Sequence, residues 1–275
     1  MSAPSHVHDA VVDPRRLRLH RPPAPRDVPF VPTDDAVVPA ILRLAQVTVD
    51  DVIYDLGCGD GRIVIAAAKR LGARGMGVDI DPLRIQECQD NLRRAGVGDR
   101  VHFVQQSLFD IDLAPASVLT LYLLPSLNIR LRSRILSQMR PGSRVISNHF
   151  DMADWQPDQV VRTHHRNLHL WIVPAWVAGE WHCTVNDPVS GRRHLRLHLE
   201  RRYQIVTGKA SVAGRDTMIG HGQITGDRLS FRLVEWGRGG VIMRYAATVE
   251  GNQLRGYCWP EGREEERIEW GGGRM

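Results

Sequence analysis

The sequence predicts an α/β fold, a doubly wound and mostly parallel sheet, with an antiparallel β-rich domain after it. Three observations carry that expectation. Residues 52–69, VIYDLGCGDGRIVIAAAK, run from a short apolar strand through a glycine turn directly into an Ala/Ile/Val-rich helix. Short apolar runs at 75–79, 101–104, 117–124 and 144–147 then alternate with helix-like segments, and repeated strand and helix units close most economically as a parallel sheet covered on both faces. From about Val177 the pattern changes to polar and apolar residues in alternation, the period of half-buried strands.

Residues 1–28 are rich in Pro, Arg and His without apolar periodicity, and read as a mobile arm. His6 and His8 belong to that arm more readily than to a metal site. Next, Pro29–Thr33 feeds a helix start: Thr33 and Asp34 are N-cap candidates, and Val37, Val38, Ile41, Leu42 and Ala45 share one face. Behind the glycine turn a helix is expected over Arg62–Leu71, where Ala66, Ala67 and Ala68 allow close packing on a sheet. A second strand ends on Asp79, a helix follows from about Leu83 to Ala95, and Val101–Val104 is a third strand. Ser117–Leu124 is β-branched and apolar throughout, as in a central strand buried on both faces. An amphipathic helix, Ile129–Met139, leads to the fifth strand at Arg144–Ser147, and Asn167–Pro174 is a further strand that closes the sheet. The first domain therefore spans 29–176. In 177–275, Gly222–Val234 and Tyr245–Tyr257 each read as strand, tight turn, strand, with hairpin chemistry at Thr225-Gly-Asp and Glu250-Gly-Asn. A meander, barrel-like or curved, follows.

The chemistry concentrates at the glycine turn. Gly57, Gly59 and Gly61 allow positive φ and close approach of a ligand, and the helix behind them presents free N–H groups. Their spacing is G-x-G-x-G, not the G-x-G-x-x-G of dinucleotide folds. An acid, Asp55, precedes the turn inside the strand end. Another, Asp79, ends the next strand, where one carboxylate can accept both hydroxyl protons of a ribose diol.

DLGCGDGR followed by GVDID resembles the class I S-adenosylmethionine-dependent methyltransferases. Pro29–Thr33, Leu121–Asn128 and Gly142–Asp151 narrow the resemblance to the seven-strand protein-lysine methyltransferases of archaea and mitochondria, and more distantly to the non-SET histone lysine methyltransferases. It covers roughly residues 28–175. The resemblance implies a seven-strand Rossmann-like sheet, S-adenosyl-L-methionine as cofactor, and a set of cofactor residues. Phe30 and Thr33 would close over the methionine end, with a plain capped helix as the other account of Thr33. Asp55 and Gly57 would lie near the amino acid end, Asp55 as partner of the ammonium group. Cys58 and Gly59 belong to the turn, and Asp79 with Ile80 would hold the adenosyl portion. Ser107, with Leu108 beside it, stands where relatives carry an acid for the adenine amino group.

Tyr122, Pro125, Ser126 and Asn128 follow the fourth strand, and ligands bind beyond the carboxyl ends of parallel strands. Tyr122, counted in the cofactor set as well, would form an apolar channel with Leu123, Leu124 and Trp155, or would merely pack at a strand end. His149 could accept a proton or be satisfied by hydrogen bonds. The candidate catalytic residues are thus Tyr122, His149 and Asn128. The expected reaction is N-methylation of protein lysine. Methylation of a small metabolite or natural product and a non-catalytic S-adenosylmethionine-binding scaffold are the alternatives, since fold does not fix function.

Bulk properties agree. With 43% apolar and 24% charged residues, a buried core is expected. Four cysteines, at 58, 88, 183 and 258, form no C-x-x-C pair, which argues against structural zinc or a disulfide framework and suits a reducing, cytoplasmic setting. His164, His165 and His169 fall in a turn and strand where their spacing does not converge on a metal. The net charge of +5 comes from scattered arginines with acids interleaved, which argues against a nucleic-acid substrate and for a protein or small-molecule acceptor. The chain contains no apolar stretch long enough for a membrane span. The β-rich domain offers a surface for an acidic protein partner or a homo-oligomer, or a ligand cavity of lipocalin type.

Overall fold

The structure, a computed structural model, describes residues 31–163, 166–236 and 239–275. Phe30, His6, His8, His164 and His165 lie outside them. Strands β1 (Val52–Leu56), β2 (Arg74–Asp79), β3 (Val101–Gln105), β4 (Val118–Leu121), β5 (Arg144–Asn148), β6 (Gln159–Arg162) and β7 (Asn167–Ile172) form one sheet in the order β3-β2-β1-β4-β5-β7-β6. The first five are parallel, whereas β7 runs antiparallel to both of its neighbours, β5 and β6.

Both faces are covered. Helices α1 (Val38–Leu44), α2 (Arg62–Leu71) and α3 (Pro82–Ala95) bury Ile41, Val64 and Leu92 in a core shared with Ile53, Val118 and Ile146. Helix α4 (Pro125–Gln138) lies on the other face, where Leu127, Leu131 and Ile135 meet Tyr54, Leu119 and Val145. Adjacent residues of one strand serve opposite cores, which is why these strands are apolar in continuous runs.

Three local expectations need correction. Helix α4 begins at Pro125, not Ile129, because proline lacks only an N–H that the first turn does not use. The fourth strand accordingly stops at Leu121. At the other end of the domain, α1 starts at Val38 with Val37 as N-cap, since the Asp34 carboxylate is engaged two residues on by the Ala36 N–H (2.9 Å) in a turn ahead of the helix. Strand β6 was not expected: its residues are mostly exposed and carry no alternation.

The second half is a closed antiparallel barrel. Its strands are β8 (Gly179–Asp187), β9 (Gly191–Arg202), β10 (Ile205–Val212), β11 (Arg215–Met218), β12 (Gly220–Thr225), β13 (Arg228–Glu235), β14 (Val241–Glu250), β15 (Gln253–Pro260) and β16 (Ile268–Arg274). Each pairs with its sequence neighbour through β9–β10 and from β12 onward, β10 also pairs with β12, and β16 returns to β8, so the sheet closes. Only β11 is appended, as a hairpin partner of β10. Closure removes the free strand edges that invite aggregation. Trp181, Leu197, Phe231, Tyr245 and Trp270 pack inside the barrel, with Tyr245 stacked on Phe231 at 5.1 Å. A charged cluster is buried with them: Arg193 bonds the Glu235 carboxylate, which also accepts from the Tyr245 hydroxyl at 2.5 Å, and the same guanidinium lies 3.8 Å from the Asp187 carboxylate.

Barrel and sheet touch at a defined place. The β9–β10 turn lies on the loop that follows β5: the Tyr203 ring stacks on Trp155 at 5.8 Å and 13°, and the Gln204 amide donates to the Gln156 carbonyl at 2.7 Å. Asp154 accepts from Arg132 of α4, from Arg202 and from the Tyr203 hydroxyl. The Arg202 and Arg132 guanidiniums hold its carboxyl well below the usual range. No helix among the described residues is long and apolar enough to cross a membrane.

Candidate active site

A cleft opens at the carboxyl ends of β1, β2 and β4, where the parallel strands leave room between the helices. The glycine turn forms its floor. The Gly57 and Cys58 N–H groups both donate to the Val78 carbonyl, at 2.8 and 3.0 Å, which stitches the turn to β2. Gly61 caps α2 at φ +78°, and a Cβ there would sit 2.4 Å from the Phe103 ring. No other residue fits that position.

Two carboxylates flank the floor. Asp79 accepts from the Gly59 N–H through one oxygen and from the Asp81 N–H through the other, both at 3.0 Å, so its orientation at the strand end is fixed. Asp55 is buried and accepts from the Thr120 hydroxyl at 2.8 Å. Burial, joined by the negative charges of Asp79 and Asp60, pushes its pKa up to about 7. No ion pair joins it to a cation among the described residues.

Thr33, Asp55, Gly57, Cys58, Gly59, Asp79, Ile80, Ser107, Leu108 and Tyr122, all expected from the sequence, line the cleft together. Ser107 uses its hydroxyl to accept from the Phe109 N–H at 3.3 Å, and Gln106 lies beside it in the lining. The Cys58 thiol is held well above its ordinary pKa by its contact with Cys88 at 3.8 Å and by burial. It is a packing group.

Arg62 was missed. Its guanidinium donates to the Thr33 carbonyl at 2.6 Å and to Asp35 at 3.0 Å, while also bonding Asp60 at 2.5 Å. It therefore ties the segment ahead of α1 to the glycine turn, closing one wall. The arginine directly after G-D-G was the available signal.

On the acceptor side the structure keeps Tyr122 and removes two companions. Tyr122, Leu123 and Leu127 line the cleft. Asn128 does not: the early start of α4 turns it inward, fully buried, where its amide donates to the Ser147 hydroxyl at 3.1 Å. His149 is exposed and outside the lining, with φ +80° and its N–H donating to the Asn167 carbonyl at 2.7 Å. The expected channel is corrected as well. Leu124 is the exposed N-cap of α4, and Trp155 is buried between Trp171 and the barrel residue Tyr203. The Arg166 guanidinium stands 4.9 Å from the centroid of the Tyr122 ring.

The sequence profile of the ANTKMT methyltransferase domain matches residues 55–159. A protein-lysine N-methyltransferase of Saccharolobus islandicus is 39% identical over 154 residues, 56% of this chain and 95% of that protein. This chain belongs to that methyltransferase family. An adenine nucleotide translocase lysine N-methyltransferase of Mus musculus is 31% identical over 144 residues, 52% of this chain, and the match spans only 62% of its length. Among solved structures, an RNA methyltransferase from Salinibacter ruber in complex with S-adenosyl-L-homocysteine is 47% identical at a TM-score of 0.53, covering 54% of this chain and 96% of that one. The protein is thus an S-adenosylmethionine-dependent methyltransferase.

Its residues fit the cofactor. The uncompensated Asp55 carboxylate suits the ammonium of the methionine portion, the braced Asp79 suits the ribose hydroxyls, and the glycine turn leaves space between them. Ser107, Leu108 and Ile80 bound the side that would take the adenine ring.

Proposed function

We propose that this methyltransferase N-methylates lysine side chains of protein substrates. The observation that carries the reading is the 39% identity along 95% of the archaeal protein-lysine N-methyltransferase. S-adenosylmethionine, when bound, supplies a methyl group activated on a sulfonium. The chain's part is placement: Asp55 and Asp79 anchor the two ends of the cofactor, and Arg62 holds the adjoining wall, so most of the rate comes from orientation. At the strand end, Tyr122, Leu123 and Leu127 form an apolar wall. Such a wall disfavours a charged ammonium and favours the neutral amine that can attack.

The Salinibacter ruber relative, named an RNA methyltransferase, gives a second reading a specific footing. One experiment separates the two. The full chain is incubated with methyl-tritiated S-adenosylmethionine and a dialysed cell lysate, and the product is split between protease and nuclease. Label released by protease supports the proposal. Label released by nuclease alone would replace the lysine reading with the RNA one.

A further inference from the structure

We propose that Arg166 lowers the pKa of the substrate amine and thereby supplies the attacking base form. The inference rests on the lysine reading above. Three observations carry it. The guanidinium lies 4.9 Å from the ring centroid of Tyr122, and Tyr122 lines the cleft. Its backbone is pinned, because the Arg166 carbonyl accepts from both the Thr163 N–H (2.8 Å) and the Thr163 hydroxyl (3.0 Å), and β7 begins at the next residue. And Arg166 makes no ion pair with any described residue.

The surrounding charges show why a cation is needed there. From β1 and the turn come Asp55 and Asp60, and from the end of β2 Asp79 and Asp81. The cleft cations are already engaged: Arg62 with Asp60 and Asp35, and Arg84 with Glu87. Past β5 lie His149 and Asp151, whose charges reach His169 on β7, and Arg162 ends β6. This set is rich in carboxylates and by itself would favour an ammonium. A guanidinium held against the cleft-lining Tyr122 ring opposes it, because a nearby like charge disfavours protonation. Arginine suits the task because it never gives up its own proton at working pH. The balance is simple: the ε-ammonium releases one proton to solvent, its nitrogen lone pair forms the new N–CH3 bond, and the electrons of the broken S–CH3 bond stay on sulfur.

The test is the pH dependence of single-turnover lysine labelling, with enzyme and cofactor in excess over lysate acceptors, so that the ionisation of the bound complex is read. Arg166→Gln should move the alkaline rise of the rate upward by about one pH unit, roughly a tenfold loss near neutrality that fades at high pH. Arg166→Lys, which keeps a cation, should retain the wild-type profile. Calorimetry of S-adenosylmethionine binding should be unchanged within about twofold in both variants, which separates the effect from misfolding. An equal loss by Arg166→Gln at every pH, or a matching loss in Arg166→Lys, would overturn the inference while leaving lysine as the acceptor. Absence of lysine label from the wild type would overturn the lysine reading first.

Discussion

At the scale of single residues, the account turns on Asp55 and Asp79. On the proposed function Asp55 binds the cofactor's ammonium, and its burial as a carboxylate costs stability in the cofactor-free protein. Its folded pKa of about 7 stands above the ordinary aspartate value of 3.8, so the stability it permits is fully present below the unfolded value and is lost as pH rises through 7. Asp55→Asn should therefore raise the melting temperature of the cofactor-free protein at pH 8 by several degrees, with the gain shrinking toward pH 4. The same variant should weaken S-adenosylmethionine binding, and it should flatten the loss of wild-type affinity as pH falls below about 7. Thermal melts and calorimetry across that range check both halves; a variant less stable than wild type at pH 8 would contradict the assignment. Asp79→Ala should weaken cofactor binding without large loss of stability, measured by the same calorimetry. Gly61→Ala, by contrast, forces a Cβ to within 2.4 Å of the Phe103 ring at φ +78°, and should cost on the order of 1–3 kcal/mol in urea unfolding.

At the scale of elements, the legible parts were those whose signal is local. The glycine turn and the helix Arg62–Leu71 stand where their residues placed them, because G-x-G-x-G followed by an alanine-rich run has few other solutions. The Leu195, Leu197 and Leu199 side of β9 points inward as its alternation required. What failed depended on choices that local chemistry leaves open. Pro125 suits a loop and a helix start equally, and choosing the loop carried Asn128 to the wrong side. Trp155 was drawn to the acceptor by its position after β5, whereas Tyr203, a barrel residue distant in sequence, claims its face. Arg166 was not singled out, since nothing near it in the sequence shows that its guanidinium reaches Tyr122. The contact at Trp155 makes the β9–β10 turn a brace for the loop after β5. Tyr203→Ala should raise hydrogen exchange of backbone amides in 150–158, with exchange in the glycine turn unchanged; equal exchange in both segments would remove the brace.

At the scale of the whole molecule, a methyltransferase domain and a closed barrel meet through that turn and through the Ala175 N–H, which donates to the Gly226 carbonyl at 2.7 Å. The meander was readable from its hairpins, whose turns fall at Gly226 and Gly251 as expected. Its closure was not, because β16 pairs with β8 across the entire length of the domain. The barrel interior is packed with aromatic side chains and holds the Arg193–Glu235 pair. Removing Glu235 leaves Arg193 with the Asp187 carboxylate alone and the buried Tyr245 hydroxyl without its acceptor. Glu235→Ala should destabilise the full chain by roughly 1–3 kcal/mol in denaturant unfolding.

The central claim is that the cleft delivers a methyl group to lysine nitrogen. Mass spectrometry of lysate proteins after incubation with the full chain and trideuteromethyl S-adenosylmethionine tests it most directly. The account predicts deuterated methyl groups on lysine ε-nitrogens, lost in the Asp79→Ala variant. Deuterated methyl groups confined to RNA, to other side chains or to small molecules would contradict it.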